Sequence, residues 1–171
     1  MTHSRRALFL TVWIFLPLGC SSEPETVLPW KDSLTDAPVS PWMWIRENPL
    51  THRSQGQGLE IQLEPGSLMG EGKGVMNILI RPLPAKARMA SVTVEFEPEI
   101  QYEQAGLIFY VGDDRYIKLV KEFVDGSPWI VMVVEIDTKI TLLQKKPAPE
   151  GSVQIAYEWD EKTVTGVYWD G

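Results

Sequence analysis

The stretch IVMVVEIDTKI, residues 130–140, sets two carboxylates, Glu135 and Asp137, two positions apart at the end of an apolar run. Successive side chains on a strand point to opposite faces, so residues i and i+2 share a face, with their carboxyls roughly 6–7 Å apart. Two carboxyls about 5–5.5 Å apart are the equipment of retaining glycoside hydrolysis, one as nucleophile and the other as acid and base. The same residues would also serve as the polar end of an ordinary strand. Choosing between these readings requires the elements that would hold Glu135 and Asp137 in place.

Other reactive residues are sparse. The chain has two histidines, His3 near the start and His52 in the turn-like NPLTHRS, and a single cysteine, Cys20. A zinc site built on histidines and a Cys/His dyad are therefore excluded, and a Ser-His-Asp triad would have only His52, which reads as a loop residue. The glycine-rich GSLMGEGKG at 66–74 lacks the strand-to-helix context of a phosphate loop and reads as a connection between strands. The oxygens of GDD (112–114) and DG (125–126) could serve a structural Ca²⁺, although turn chemistry accounts for both. No cofactor is expected.

The first residues carry a targeting pattern. MTHSRR is a basic leader and ALFLTVWIFLPL a twelve-residue apolar run, shorter than the roughly 20 residues that span a bilayer. LPLGCSS then resembles the lipobox of bacterial lipoproteins, with Leu16 at −4, Leu18 at −2, Gly19 at −1 and Cys20 at +1. The resemblance implies a signal peptide over 1–19, lipidation of Cys20 and attachment to a membrane through that anchor. Ser21 after the cysteine, in place of Asp, implies the outer membrane in a Gram-negative cell. Without residues 1–19 the chain holds 14 basic and 23 acidic residues, a net charge of −9. That balance repels phosphate backbones and excludes nucleic acid as a partner, while neutral glycans remain open.

Residues 20–41 read as the lipidated cysteine and a tether, since 21–41 hold four prolines with Ser, Thr and acids and no apolar period. From Trp42 to Gly171 short alternating segments follow, at 42–46, 59–63, 76–81, 91–97, 105–111, 115–123, 129–137, 140–146, 152–159 and 163–169. Turn signals such as EPGS, VGDD, VDGSP and APEGS separate them. No window has a helical period, and the spacing predicts an antiparallel sandwich or barrel.

Alternation assigns the faces. Ala105, Leu107, Phe109 and Val111 oppose Gln104, Gly106, Ile108 and Tyr110. Ile117 and Leu119 oppose Tyr116 and Lys118, and Ile130, Met132, Val134 and Ile136 oppose Val131, Val133, Glu135 and Asp137. The second face mixes aromatic, amide and charged groups, as a saccharide surface requires: sugars offer apolar CH faces to rings and hydroxyls to polar groups. Gln104, Tyr110, Tyr116, Lys118 and Glu135, joined by Asn77 and Arg81, are expected to line one concave sheet face. Trp44, on a strand where Trp42 and Trp44 share a face, is a further binding candidate.

WMWIRENPLTH, GLEIQLEPGSL, MNILIRP and VTVEFEPEIQYEQAGLIFYVGDDRYIKLVKE together resemble the concanavalin A-like domain at the C-terminus of β-xylosidases, which also occurs in related form as a free-standing domain of unknown function. The resemblance runs from Trp42 to about Lys121 and implies an all-β, concanavalin A-like jelly-roll sandwich of two antiparallel sheets. It also implies a strand after a DG turn, where this sequence reads VYWDG. Laminarinase-like and lichenase-like glycosidases share that fold and carry E-x-D-x-E or E-x-D-x-x-E on one strand. Here Lys139 or Ile140 stands where the last Glu would be, and lysine, with an ordinary pKa of about 10.4, is a poor substitute for a carboxylic acid. The sequence thus predicts a lipid-anchored, cell-envelope sandwich that binds a glycan or polysaccharide without catalysis. The alternatives are a structural or protein-interaction module of the cell surface and, last, a glycoside hydrolase.

Overall fold

The computed structural model describes residues 5–8, 30–69 and 74–170. Cys20 and most of the leader, the tether over 20–29 and residues 70–73 of the glycine-rich stretch lie outside the described residues. Two compact units divide the chain, Glu23–Ala87 and Arg88–Gly171 together with Met1–Ser22. All regular elements among the described residues are strands paired antiparallel, as the sequence predicts.

A short strand, β1 (Arg5–Leu8), belongs to the larger unit. The smaller unit holds β2 (Met43–Ile45) paired with β5 (Ile78–Ile80), and β3 (His52–Gln55) paired with β4 (Gly58–Ile61). His52 therefore opens a strand and is not a loop residue. Its ring stacks on Trp44 at 4.2 Å and its Nε2 lies 3.1 Å from Glu47 Oε1, so aromatic packing occupies the side chain. Residues 30–41 form no strand, yet they are held in place. The Asp32 carboxylate accepts from the Leu34 N–H and from Trp42 Nε1, and the Trp30 and Trp42 rings meet at 5.5 Å.

The larger unit holds β6 (Met89–Val94), β7 (Gln104–Gly112), β8 (Arg115–Val124), β9 (Ser127–Ile136), β10 (Lys139–Pro147), β11 (Val153–Trp159) and β12 (Val164–Asp170). One sheet runs in the order β10-β9-β8-β7 and the other β1-β12-β11-β6. Their facing sides make the core. Ile117, Leu119, Ile130 and Met132 come from the first sheet, and Val94, Val153, Ile155, Tyr157, Val164 and Tyr168 from the second. Tyr157 is fully buried and donates its hydroxyl proton to the Ile117 carbonyl at 3.0 Å, which satisfies the one polar group that the ring brings into the core. This two-layer antiparallel arrangement is consistent with a jelly roll.

Two features tie the sandwich together. Gly106 sits where β7 closes on β8, and a Cβ there would collide with the Leu119 carbonyl oxygen and meet the Ile155 side chain at 2.8 Å. Lys121, on the core side of β8 and fully buried, reaches Glu97 Oε1 at 2.8 Å and the Gly151 carbonyl at 2.9 Å. Glu97 also accepts from the Gly151 N–H at 2.6 Å, so a buried ammonium is matched by an anion and a carbonyl at the sandwich rim. The Lys121 hydrogen bond holds the Glu97 carboxyl below its usual range, assisted by the Gly151 N–H against a smaller effect of burial.

The turns set the register. Asp125 and Gly126, at φ 55° and 83°, form the two-residue connection between β8 and β9, where Val124 opposes Ser127. Positive φ at both central residues is the geometry that Asp-Gly favours. The next hairpin is less favourable, with Asp137 and Thr138 at φ 50° and 67° between Ile136 and Lys139. Strand β9 therefore ends at Ile136, and the expected Glu135/Asp137 pair on one strand face does not form. Asp137 turns outward, pairs with the Arg115 guanidinium and donates its N–H to the Asp114 carbonyl at 2.8 Å. A β-branched residue in left-handed backbone is strained. Thr138→Gly should raise stability by about 1 kcal/mol, read as a higher urea midpoint at unchanged m-value.

Candidate functional site

The four-stranded sheet β7–β10 has its core side occupied, and its other side is built in rows across the strands. One row runs Tyr110, Tyr116, Glu135, Ile140; the next Ile108, Lys118, Val133, Leu142; then Gly106, Val120, Val131, Lys145; then Gln104, Glu122, Trp129, Pro147. The period of two thus brings Gln104, Tyr110, Tyr116, Lys118 and Glu135 onto a single face, as the sequence predicts. Between the polar ends lies an apolar patch of Val120, Val131 and Val133 backed by Trp129.

This face is buried despite its charges. Tyr116 is 2% exposed, Lys118 and Glu122 5% each, and Glu135 0%. Lys118 Nζ donates to Gln104 Oε1 at 2.6 Å and lies 3.8 Å from Glu122 Oε2. Tyr110 donates its hydroxyl proton to Asp113 at 2.6 Å. Lys145 Nζ lies 4.4 Å from the Trp129 ring centre and 3.5 Å from Asp125, and Trp129 Nε1 donates to the Val124 carbonyl at 3.0 Å.

Glu135 differs from all of these. Directly opposite on β8 stands the Tyr116 hydroxyl, closed to solvent like both Glu135 oxygens. One hydroxyl supplies one proton, so at least one Glu135 oxygen is left without a donor among the described residues. Burial raises the Tyr116 pKa above the usual phenol range, and a hydrogen bond to Glu135, the charge of Glu135 and then that of Glu122 raise it further. Burial lowers the Lys118 pKa against the opposing pull of Glu122 and Glu135, and raises that of Glu122 against Lys118 and Lys145. A desolvated carboxylate without a donor is costly, and polar atoms left open in this way are characteristic of sites that complete themselves with a ligand.

Three further predicted residues, Asn77, Arg81 and Trp44, belong to the unit Glu23–Ala87. Asn77, at φ 57°, accepts from the Asn48 N–H at 2.7 Å and donates to Thr51 Oγ1 and Glu64 Oε2 at 2.8 and 3.1 Å. The Arg81 guanidinium stacks 3.5 Å from the Trp30 ring centre and 5.5 Å from that of Trp42. Trp44 packs on His52. Asn77 and Trp44 are thus spent on local structure. The sequence reading missed Glu122, Trp129 and Lys145. Continuing the alternation Tyr116, Lys118, Val120 would have found Glu122.

Nothing among the described residues groups three or more His, Cys, Asp or Glu side chains for a metal, and those residues include no helix long and apolar enough to cross a membrane. A surface hollow bounded by Val134, Ile136, Asp137, Lys139 and Thr141 adjoins the β9–β10 turn, away from Glu135's row partners Tyr110 and Tyr116.

Fold and site together define an all-β sandwich with a buried, partly unsatisfied polar face on one sheet. The chain belongs to the family described as Protein of unknown function (DUF1349), whose model matches residues 73–161, from before β5 to just past β11. The match takes in every residue of the polar face and leaves out Trp44. Neither the curated proteins nor the solved structures contain a match.

If Glu135 is held against its own desolvation, removing its charge should relieve the fold. Glu135→Gln is expected to raise the thermal midpoint, corresponding to about 1–3 kcal/mol, whereas a purely architectural carboxylate would lower it on substitution.

Proposed function

We propose that this protein is a lipid-anchored component of the cell envelope whose sandwich binds a glycan through the polar face of β7–β10 and performs no chemistry. The observation that carries this reading is the fully buried Glu135 carboxylate, for which the Tyr116 hydroxyl opposite can supply one proton and no more. A sugar hydroxyl would donate to the oxygen that Tyr116 leaves open, and the Tyr110 and Tyr116 rings and the valine patch offer apolar contact to the CH face of the ring. The resemblance to the β-xylosidase C-terminal domain supports a saccharide context, and the lipobox ending at Cys20 supports the anchor. Hydrolysis is disfavoured because Asp137 stands in a turn, paired with Arg115, and no second carboxylate shares the Glu135 row.

The near-complete burial of the face favours one competing reading, a structural or protein-interaction module in which these charges only fix the fold. Affinity electrophoresis of the full chain through gels containing neutral polysaccharides separates the two. Retardation that Tyr110→Ala or Lys118→Ala abolishes, with melting behaviour preserved, is the expected result. Unretarded migration in every polysaccharide, with one defined protein recovered by cross-linking, would replace the glycan reading. Cys20→Ala should move the protein from the membrane to the soluble fraction, and persistence in the membrane would refute the anchor.

A further inference from the structure

Residues 30–41 have the composition of a tether, yet they are fastened to the smaller unit. The Arg81 guanidinium lies 3.5 Å from the Trp30 ring centre and 5.5 Å from that of Trp42, and the two rings meet at 5.5 Å. Asp32 accepts from Trp42 Nε1 and from the Leu34 N–H, both at 2.9 Å. The Ser33 carbonyl oxygen comes within 3.5 Å of where a Cβ on Gly58 would stand, so the segment also runs beside the β3–β4 connection. Among the described residues this fastening begins at Trp30, ten positions after Cys20.

The attachment is built to open. Residues 30–33 and 39–41 are exposed, no strand pairing supports the segment, and Trp30 itself is 51% exposed. With both rings against it, Arg81 Nη1 is closed to solvent and has no acceptor among the described residues, while Nε donates to the Pro82 carbonyl at 3.4 Å. Stacking is therefore opposed by the lost hydration of a cationic N–H, which opening would restore. An exposed segment held through a few side chains can detach without unfolding the unit beneath it.

On the premise that Cys20 carries the lipid anchor, we propose that residues 30–42 are a strap, closed by the Trp30–Arg81–Trp42 stack, that sets how far the smaller unit can stand from the membrane. Closed, ten residues separate the anchor from the folded body, and at about 3.6 Å each they reach at most about 36 Å. Open, the free chain extends to Trp42, twenty-two residues from Cys20, and the limit rises to about 79 Å. More than half of the leash is thus held in reserve, released by opening the stack and the Asp32 hydrogen bonds without breaking a strand.

Lys31 gives the test its handle, being the one Lys or Arg between Cys20 and Arg46. Membranes from cells making the full chain are treated with trypsin, and the cuts after Lys31 and after Arg53, on β3 of the same unit, are timed by mass. A bond in a closed strap is cut through its open fraction. Arg81→Ala is expected to speed the cut after Lys31 about tenfold, the order of one cation–π contact, and to leave the cut after Arg53 unchanged. Arg81→Lys, which keeps a cation against the rings, should restore most of the protection. With a donor dye at Leu50→Cys, a position 91% exposed, energy transfer to headgroup-labelled lipid should fall in Arg81→Ala. Equal rates after Lys31 with and without Arg81 would overturn the strap, as would a parallel rise after Arg53, which would show the whole unit opening. Unchanged transfer despite faster cutting would overturn its control of reach. Recovery of the protein in the soluble fraction would instead remove the anchor on which the leash rests, and the cut after Lys31 would still report the stack.

Discussion

The β8–β9 hairpin fixes which side of every residue in the larger sheet faces the core. Asp125 and Gly126 close it with Val124 opposite Ser127, and from that point each pair follows, through Leu119 with Met132 to Tyr116 with Glu135. A slip of one residue would turn Leu119, Ile117, Ile130 and Met132 outward and drive Tyr116, Lys118 and Glu135 between the sheets. Burial of those four apolar side chains holds the register, and the polar face is its unavoidable complement. Core and candidate site are two consequences of one pairing, so selection on either constrains the other.

Two buried ionisable groups on neighbouring strands show what is peculiar about the site. Lys121 points to the core side and is completed by Glu97 and the Gly151 carbonyl, a closed arrangement at the rim of the sandwich. Glu135 points to the opposite side, is no more exposed, and has the single proton of the Tyr116 hydroxyl for its two oxygens. The fold is thus able to satisfy a buried charge where architecture requires it. Leaving Glu135 open is a local departure from that rule, and such departures concentrate where a ligand supplies the missing partner.

Much of this was legible because it rests on a period of two. The apolar faces of 105–111, 115–123 and 129–136 and the DG turn are local signals, and they gave the class of fold and five residues of the face. What escaped depends on features with no strong local signature. Asp-Thr is a poor sequence for a turn with two positive φ values, so the end of β9 at Ile136 was hidden and Asp137 was credited to the strand. His52 lies in a stretch with turn-like composition, and it is its antiparallel pairing with Ile61 on β4 that makes it a strand residue. Asn77 and Arg81 looked like face residues by chemistry alone. Their network and stacking partners, Asn48, Glu64 and Trp30, lie at sequence distances over which alternation carries no information.

The placement of the β9–β10 turn also bears on the paired-carboxylate reading of IVMVVEIDTKI. A retaining hydrolase needs two carboxyls flanking the scissile bond about 5–5.5 Å apart, and an inverting one about 6.5–9.5 Å. Ending the strand after Ile136 sends Asp137 to solvent with Arg115 as its partner, and the only other carboxylate on the face of Glu135 is Glu122, three rows away. Lys118, lying between them with its pKa lowered by burial, is committed to Gln104. Glu135 therefore stands on its face without the second carboxyl that either mechanism pairs with the first, and its hydrogen-bond neighbour is the Tyr116 hydroxyl. One hydroxyl cannot satisfy two carboxylate oxygens, and the acceptor left over is the feature on which the proposed glycan face relies.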